Sequence, residues 1–272
     1  MTAAPLPPFP GAPAHHRPDG GFQNPWLSGR DQRLRAFLQW RLERLRQPPP
    51  PDPVPAGVAL EALPPIDAVL LSHNHYDLDV PTVRRLARRH PQARWIVPLG
   101  LGEFLRRRGA QPVRELDWWE EARVGDVVFG CTPAQHFSAR GLGDRSRTLW
   151  CGWSVAAPAR RLFFAGDTGY HPEFTRIGER FGPFHAALLP IGAYEPRWFM
   201  QPVHMNPEES VGAFRDLTRG HSAVMVPMHW GTFRLTDEPL DEPPRRVARA
   251  WREAGFPPDD LWLLAPGETR AL

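Results

Sequence analysis

Four short apolar runs in this chain each end on a residue able to bind a metal ion, and that coincidence constrains the fold more than any other feature. AVLLS at 68–72 leads into His73, Asn74, His75, Tyr76 and Asp77; TPAQ leads to His136, FFAG to Asp167, and VPM to His229. A run of four to six apolar residues bounded by turn formers reads as a buried strand. Alternate residues leaving a strand's carboxyl end point the same way, so His73, His75 and Asp77 can converge on one point. Imidazole nitrogen with carboxylate oxygen is the donor set of zinc and related divalent ions. Taken singly, H-x-H-x-D also fits a polar loop of hydrogen-bonded histidines, and Asp167 within G-D-T-G also fits an Asx-turn. Four such endings together favour a metal site.

The intervening pattern is that of an α/β protein. Runs at 95–98, 126–132, 149–155, 161–166, 186–191, 223–228 and 261–264 read as further strands. Helices are expected over about 81–90, 102–108, 172–181, 207–218 and 243–254, with Pro81, Pro172, Pro207 and Pro243 in first turns, where a missing N–H costs nothing. Residues 30–46 carry Leu34, Phe37, Leu38, Trp40, Leu42 and Leu45 at helical spacing, and QPPPPDPVPAG then stops that helix. The domain reading is residues 1–57 as an N-terminal arm, amphipathic helix and Pro-rich linker, and 58–272 as the catalytic domain. His15, His16, Phe22 and Trp26 are the arm residues suited to pin it to the body.

Composition removes whole classes of chemistry. All 33 basic residues are arginine, so no lysine is available for a Schiff base or an amine nucleophile. Cys131 and Cys151 lie in apolar strand-like runs and read as reduced core residues, which suits a cytoplasmic setting. Neither a signal peptide nor an apolar stretch of spanning length occurs, so no membrane span is expected. A net charge of +3 does not demand nucleic acid, and without a basic-aromatic stripe no nucleic-acid partner is expected. Arg84, Arg85, Arg88 and Arg89, with Arg106 to Arg108, read as solvated helix faces in preference to a surface for anionic lipid, the reading that would allow peripheral membrane contact. Trp40, Trp118, Trp119, Trp198 and Phe199 read as core before acyl-chain groove.

The ordered segments L-P-P-I-D-A-V-L-L-S-H-N-H-Y-D, T-P-A-Q-H-F-S-A-R-G, F-A-G-D-T-G-Y, M-Q-P-V-H-M-N-P-E-E-S and M-H-W-G-T-F resemble the N-acyl-phosphatidylethanolamine-hydrolysing phospholipase D branch of the metallo-β-lactamase superfamily. H-H-R-P-D-G-G-F-Q-N-P-W resembles that branch's entry segment. The resemblance covers residues 14–40 and 58–272. It implies an αββα sandwich with two zinc ions at its edge: His73, His75 and His136 on the first, Asp167 bridging, Asp77 and His229 on the second. Such a pair acidifies water and neutralises charge on a phosphoryl group. His204, in P-V-H-M-N-P, matches a family position outside the metal set; the alternatives are a catalytic donor to a phosphate oxygen or the leaving alcohol, and a structural hydrogen bond.

Two departures stand out. The family pattern continues H-x-H-x-D-H, but Leu78 and Asp79 follow Asp77 here, so the second metal loses an imidazole and one strong site is expected beside a weakened one. Asp79 is a candidate substitute ligand. Between Arg46 and Val58 the family's W-I-G-H-A-T-like and L-T-D-P-like segments are missing, so the fold is expected to lack some N-terminal strands. The function implied by the resemblance is zinc-dependent phosphodiester hydrolysis of N-acyl-phosphatidylethanolamine or a related glycerophospholipid. Alternatives are another phosphodiester, a lactone or a sugar-phosphate ester, and a metal-deficient, non-catalytic homologue.

Overall fold

The computed structural model describes residues 15–27, 40, 42–44, 56–141 and 143–272. After a 3₁₀ turn at Leu60–Ala62 come β1 (Ala68–Leu70), α1 (Val80–Arg89), β2 (Arg94–Pro98), α2 (Gly102–Arg106) and β3 (Val113–Leu116). Then follow β4 (Glu121–Val124), β5 (Val127–Thr132), β6 (Gly152–Ala156), β7 (Arg161–Phe164), α3 (Glu173–Phe181), β8 (Ala186–Pro190), α4 (Arg197–Met200), α5 (Pro207–Thr218), β9 (Val224–Met228) and α6 (Glu242–Glu253).

The first three strands form a parallel sheet in the order β1-β2-β3, and the others a second sheet in the order β4-β5-β6-β7-β8-β9. Pairing in the second sheet is antiparallel from β4 to β7 and parallel from β7 to β9. Parallel neighbours need crossovers, and α1, α2, α3 and α5 supply them.

Strand alternation builds the layers. On β2, Trp95 and Val97 point into a core with Val83, Leu101 and Leu105 beneath α1 and α2. Ile96 points the other way, into a core shared with Leu116 of β3 and with Phe129, Cys131 and Trp153 of the second sheet. The second sheet turns Phe163, Ala187, Leu189 and Met225 outward onto Phe174, Phe214, Leu217, Val247 and Trp251 of α3, α5 and α6. The result is helix, sheet, sheet, helix: the αββα sandwich expected. Gly130 on β5 shows how closely the layers approach, because a Cβ there would lie 2.6 Å from the Phe181 ring. Cys131 and Cys151 are buried free thiols, as their apolar contexts predict.

Some boundaries differ from expectation. β3 and β4 were not anticipated, because Arg114, Glu115, Glu121 and Arg123 interrupt their apolar pattern; each is an edge strand, where charged side chains are tolerated. The run at 261–264, expected as a strand, makes a single bridge, Leu261 to Met225. β6 starts at Gly152, not at 149, and the helix expected over 102–108 ends at Arg106. The helix expected over 30–46 lies mostly outside the described residues; Trp40 and residues 42–44 are helical. No helix among the described residues is long and apolar enough to cross a membrane.

Candidate metal centre

The chain leaves β1 through Leu71 and Ser72, and the next residues bring His73 and His75 over the sheet edge. The Ser72 hydroxyl lies 2.9 Å from His73 Nδ1. The Ala139 N–H donates to the Asn74 carbonyl (2.9 Å), and the Arg140 guanidinium donates to the carbonyls of His75 and of Leu78 (3.0 Å). This turn is thereby fastened to the loop that carries His136. After β7, Gly166 takes φ +64° and directs Asp167 inward; a Cβ there would meet the Cys151 carbonyl and Ser72, each at 2.8 Å. After β9, His229 itself takes φ +62°, a left-handed conformation costly for a residue with a side chain and one that recurs at functional sites.

Asp167 is the focus. Its Oδ2 lies 3.2 Å from His229 Nε2, 3.8 Å from His73 Nε2 and 4.0 Å from His136 Nε2. Nitrogen and oxygen donors at zinc bond lengths in a tetrahedron stand about 3.4 Å apart, whereas N–H···O hydrogen bonds close to about 2.9 Å. At 3.2 Å the His229 contact is within hydrogen-bond reach, while the 3.8 and 4.0 Å separations from His73 and His136 leave room for an ion between the donors. His73, His75 and His136 offer ligand atoms within 4.8 Å of one another, as do His136, Asp167 and His204. Among the described residues, His73 Nε2 and His136 Nε2 are buried without hydrogen-bond partners, which is costly unless something else satisfies them. The donors present fit a divalent ion.

Protonation agrees with that fit. Burial, with His73 adjacent, pushes His75 down to about 4, and burial holds His136 well below the ordinary histidine range. Burial alone would raise the Asp167 carboxyl, but His229, His73 and His136 reverse this and keep it well below the usual carboxylate range. For His229 burial opposes charge, yet Asp167 outweighs it and pushes the imidazole up to about 9. Neutral His75 and His136 beside an ionised Asp167 suit a metal, and His229 would have to release a proton to join them.

The sequence-derived set is thus brought together except at one member. Asp77 lies on an exposed turn outside both clusters, although its charge raises the pKa of His75 and His229. Leu78 packs into the core beneath α1. Asp79 does not turn toward the metal centre: it is the N-cap of α1, accepting from the Thr82 N–H at 2.8 Å and from the Thr82 hydroxyl at 2.5 Å. Of the other histidines, His90 and His185 accept backbone N–H donors from Ile66 and Arg161, His171 is stacked between Trp26 and Phe174, and His221 is exposed. The arginines at 84, 85, 88 and 89 are exposed on α1, as a solvated face predicts.

Sequence reasoning missed the residues behind the ligands. Asn24 Nδ2 donates to the His136 carbonyl (2.9 Å), and the Trp26 indole donates to Gln135 Oε1 (2.5 Å). Gln135 Nε2 donates to the Pro202 carbonyl at 3.0 Å, and its backbone N–H donates to the Thr168 hydroxyl at 2.8 Å. Gln135 therefore joins the arm to the segments that carry His136, Asp167 and His204. At the arm's start, His15 and His16 each place Nε2 2.6 Å from a different oxygen of Asp117, and His15 stacks on Trp118. The only sequence signals were the aromatic and histidine residues of the arm, which do pin it to the body.

Comparison with known proteins gives the same picture. A beta-lactamase superfamily domain is matched over residues 24–230. An uncharacterized protein of Mycobacterium tuberculosis is 48% identical over 199 residues, 72% of this chain and 52% of the relative. An N-acyl-phosphatidylethanolamine-hydrolyzing phospholipase D of Caenorhabditis elegans is 42% identical over 192 residues, 66% of this chain and 53% of the relative. The chain spans about half the length of these curated relatives. A metallo hydrolase of the archaeon Ignicoccus hospitalis shares the fold, with a TM-score of 0.58 at 24% identity over 74% of this chain and 77% of that one.

Proposed function

Because the chain belongs to the metallo-β-lactamase superfamily, we propose that it is a zinc-dependent phosphodiesterase of the phospholipase D type, acting on N-acyl-phosphatidylethanolamine or a related glycerophospholipid. The observation that carries this reading is the ligand-like spacing of His73, His136 and His229 around Asp167. His73, His75 and His136 would hold one ion, and Asp167 with His229 would serve the other. When bound, such a pair supplies Lewis-acid polarisation of a phosphoryl oxygen and acidified water.

The chain's own contribution is positioning. Arg140 holds the turn of His75, Gln135 ties the His136 loop to Thr168 and Pro202, and the His136 ring is set by Nδ1 lying 3.1 Å from the Val203 carbonyl. Outer hydrogen bonds of this kind fix ligand orientation and basicity. Support for a lipid substrate comes from exposed apolar side chains close in sequence to the ligands: Tyr76, 73% exposed, and Phe233, 61% exposed. They suit peripheral contact with a lipid surface.

Purified protein, analysed for bound metal and incubated with N-acyl-phosphatidylethanolamine vesicles, tests the proposal. The expected result is bound zinc and release of the N-acylethanolamine, both abolished in His73→Ala. Zinc without lipid cleavage, but with turnover of a soluble phosphodiester, lactone or sugar-phosphate ester, would move the substrate to that class. Protein without metal under saturating zinc would overturn the reading.

A further inference from the structure

The position that the family resemblance gives to a histidine is filled by Leu78, which is packed into the core, and neither neighbouring carboxylate replaces it at the centre. Asp79 caps α1, and Asp77 stands exposed outside both ligand clusters. A different imidazole does reach the centre. His204, 8% exposed, has its ring centroid 5.0 Å from that of His136 and 5.3 Å from that of His229, with the His229 ring nearly parallel at 16°. It offers a ligand atom within 4.8 Å of those of His136 and Asp167.

His204 differs from His90, His171 and His185 at its Nδ1. His90 and His185 each accept a backbone N–H on Nδ1, and His171 accepts from the Glu173 N–H while aromatic rings cover both its faces. His204 Nδ1 is buried and finds no hydrogen-bond partner among the described residues, beside the similarly unpartnered His136 Nε2. An unpaired buried polar atom costs about 1–3 kcal/mol; His90 Nε2 and His171 Nε2 are unpartnered too, and His204 stands apart because its ligand atom lies beside those of His136 and Asp167.

The backbone of His204 is held rigidly. Its N–H donates to the Met200 carbonyl at 2.8 Å, and the Arg197 guanidinium donates to its carbonyl at 3.1 Å while pairing with Glu209 at 2.7 Å. Asn206 then opens α5 with a capping box, so the ring is fixed between two helices. The Met205 N–H donates to the Thr168 carbonyl at 3.0 Å, tying this segment to the loop of Asp167.

The geometry points to His204 as a metal ligand that, with Asp167 and His229, completes the second metal position in place of the imidazole lost at Leu78. This rests on the metallohydrolase reading above, and it assigns coordination where the sequence suggested a catalytic or structural hydrogen bond. A centre built this way draws its second ion's ligands from the loops after β7, α4 and β9, and does not depend on Asp77.

The test is zinc stoichiometry by elemental analysis, with zinc titration and cobalt(II) absorption spectra, on the parent and on His204→Ala, His204→Gln and His171→Ala. The parent and His171→Ala are expected to bind two ions. Both His204 variants should keep the first and bind the second more than about 100-fold more weakly, beyond the 10–100-fold effect of an outer-shell partner. Circular dichroism of the His204 variants matching the parent establishes that they fold, and the Gln variant preserves most of the volume. His204 variants that retain the parent's metal count, affinities and cobalt spectrum would overturn the assignment while leaving the hydrolase reading intact. A parent that binds no metal would instead remove the reading on which the assignment rests.

Discussion

Burial sorts the histidines by protonation as well as by place. His171 is 1% exposed between two aromatic rings, and burial pushes it down to about 3 from an ordinary value of 6.5. The folded state therefore refuses a proton that the unfolded chain accepts. The stability this represents is present above about 6.5 and lost as pH falls toward 3, amounting to about 2 kcal/mol between pH 7 and pH 5. His171→Phe preserves the stack on Trp26 and Phe174 and removes the titration. Urea midpoints at pH 7 and pH 5 are expected to fall less for the variant than for the parent; equal falls would show that His171 is not the group responsible. The candidate ligands were the most legible part of the site, because His73, His136, Asp167 and His229 each follow a strand and strands advertise themselves by apolar runs. Asp77 shared that signal, but the spacing H-x-H-x-D fixes sequence distance and not the turn, which carries Asp77 outward.

Among the elements, the segment at 15–27 matters out of proportion to its length. Its two histidines grip Asp117, its tryptophan covers His171 and holds Gln135, and its asparagine holds the His136 carbonyl. Asp117→Ala releases the grip and is expected to cost about 1.5–3 kcal/mol, the value of a hydrogen bond to a charged group. Tryptophan fluorescence should shift to the red as Trp26 and Trp118 become wetter, and zinc affinity should fall about tenfold through the loss of ligand support. Unchanged zinc affinity after such a shift would show that the arm only covers the site. The histidines and Trp26 of the arm were readable beforehand as its anchors, but the supports they meet were not. Asn24, Gln135 and Arg140 act on groups remote in sequence, and such contacts leave no periodicity along the chain. Edge strands β3 and β4 escaped notice for the opposite reason: their charged residues erase a periodicity that central strands display.

At the scale of the whole molecule, two sheets and their helices converge on a cluster whose buried nitrogens lack protein partners, so a bound ion should stabilise the fold markedly. Zinc at one hundred times its dissociation constant contributes about 2.7 kcal/mol, which raises Tm by about 5–10 °C for a chain of this size. Thermal melts of chelated and zinc-loaded protein check this; coincident melts would show that the centre does not bind zinc. The α/β arrangement was legible from alternating apolar runs and helical segments, and the layered sandwich was implied by the family resemblance.

The pinned arm also governs the order in which a working centre can appear. Its contacts with Asp117 and His136 span 102 and 112 residues, and Trp40 reaches Asp237 across 197. During synthesis the arm emerges before its partners, and contacts this distant close slowly. His229, after β9, joins the candidate set only once the segments of His73, His136 and Asp167 have been made. A ribosome-bound or proteolytically clipped chain lacking the last strand would hold only an incomplete set of imidazoles. Metal capture, if the proposed centre forms, would thus report that segments about two hundred residues apart have come together.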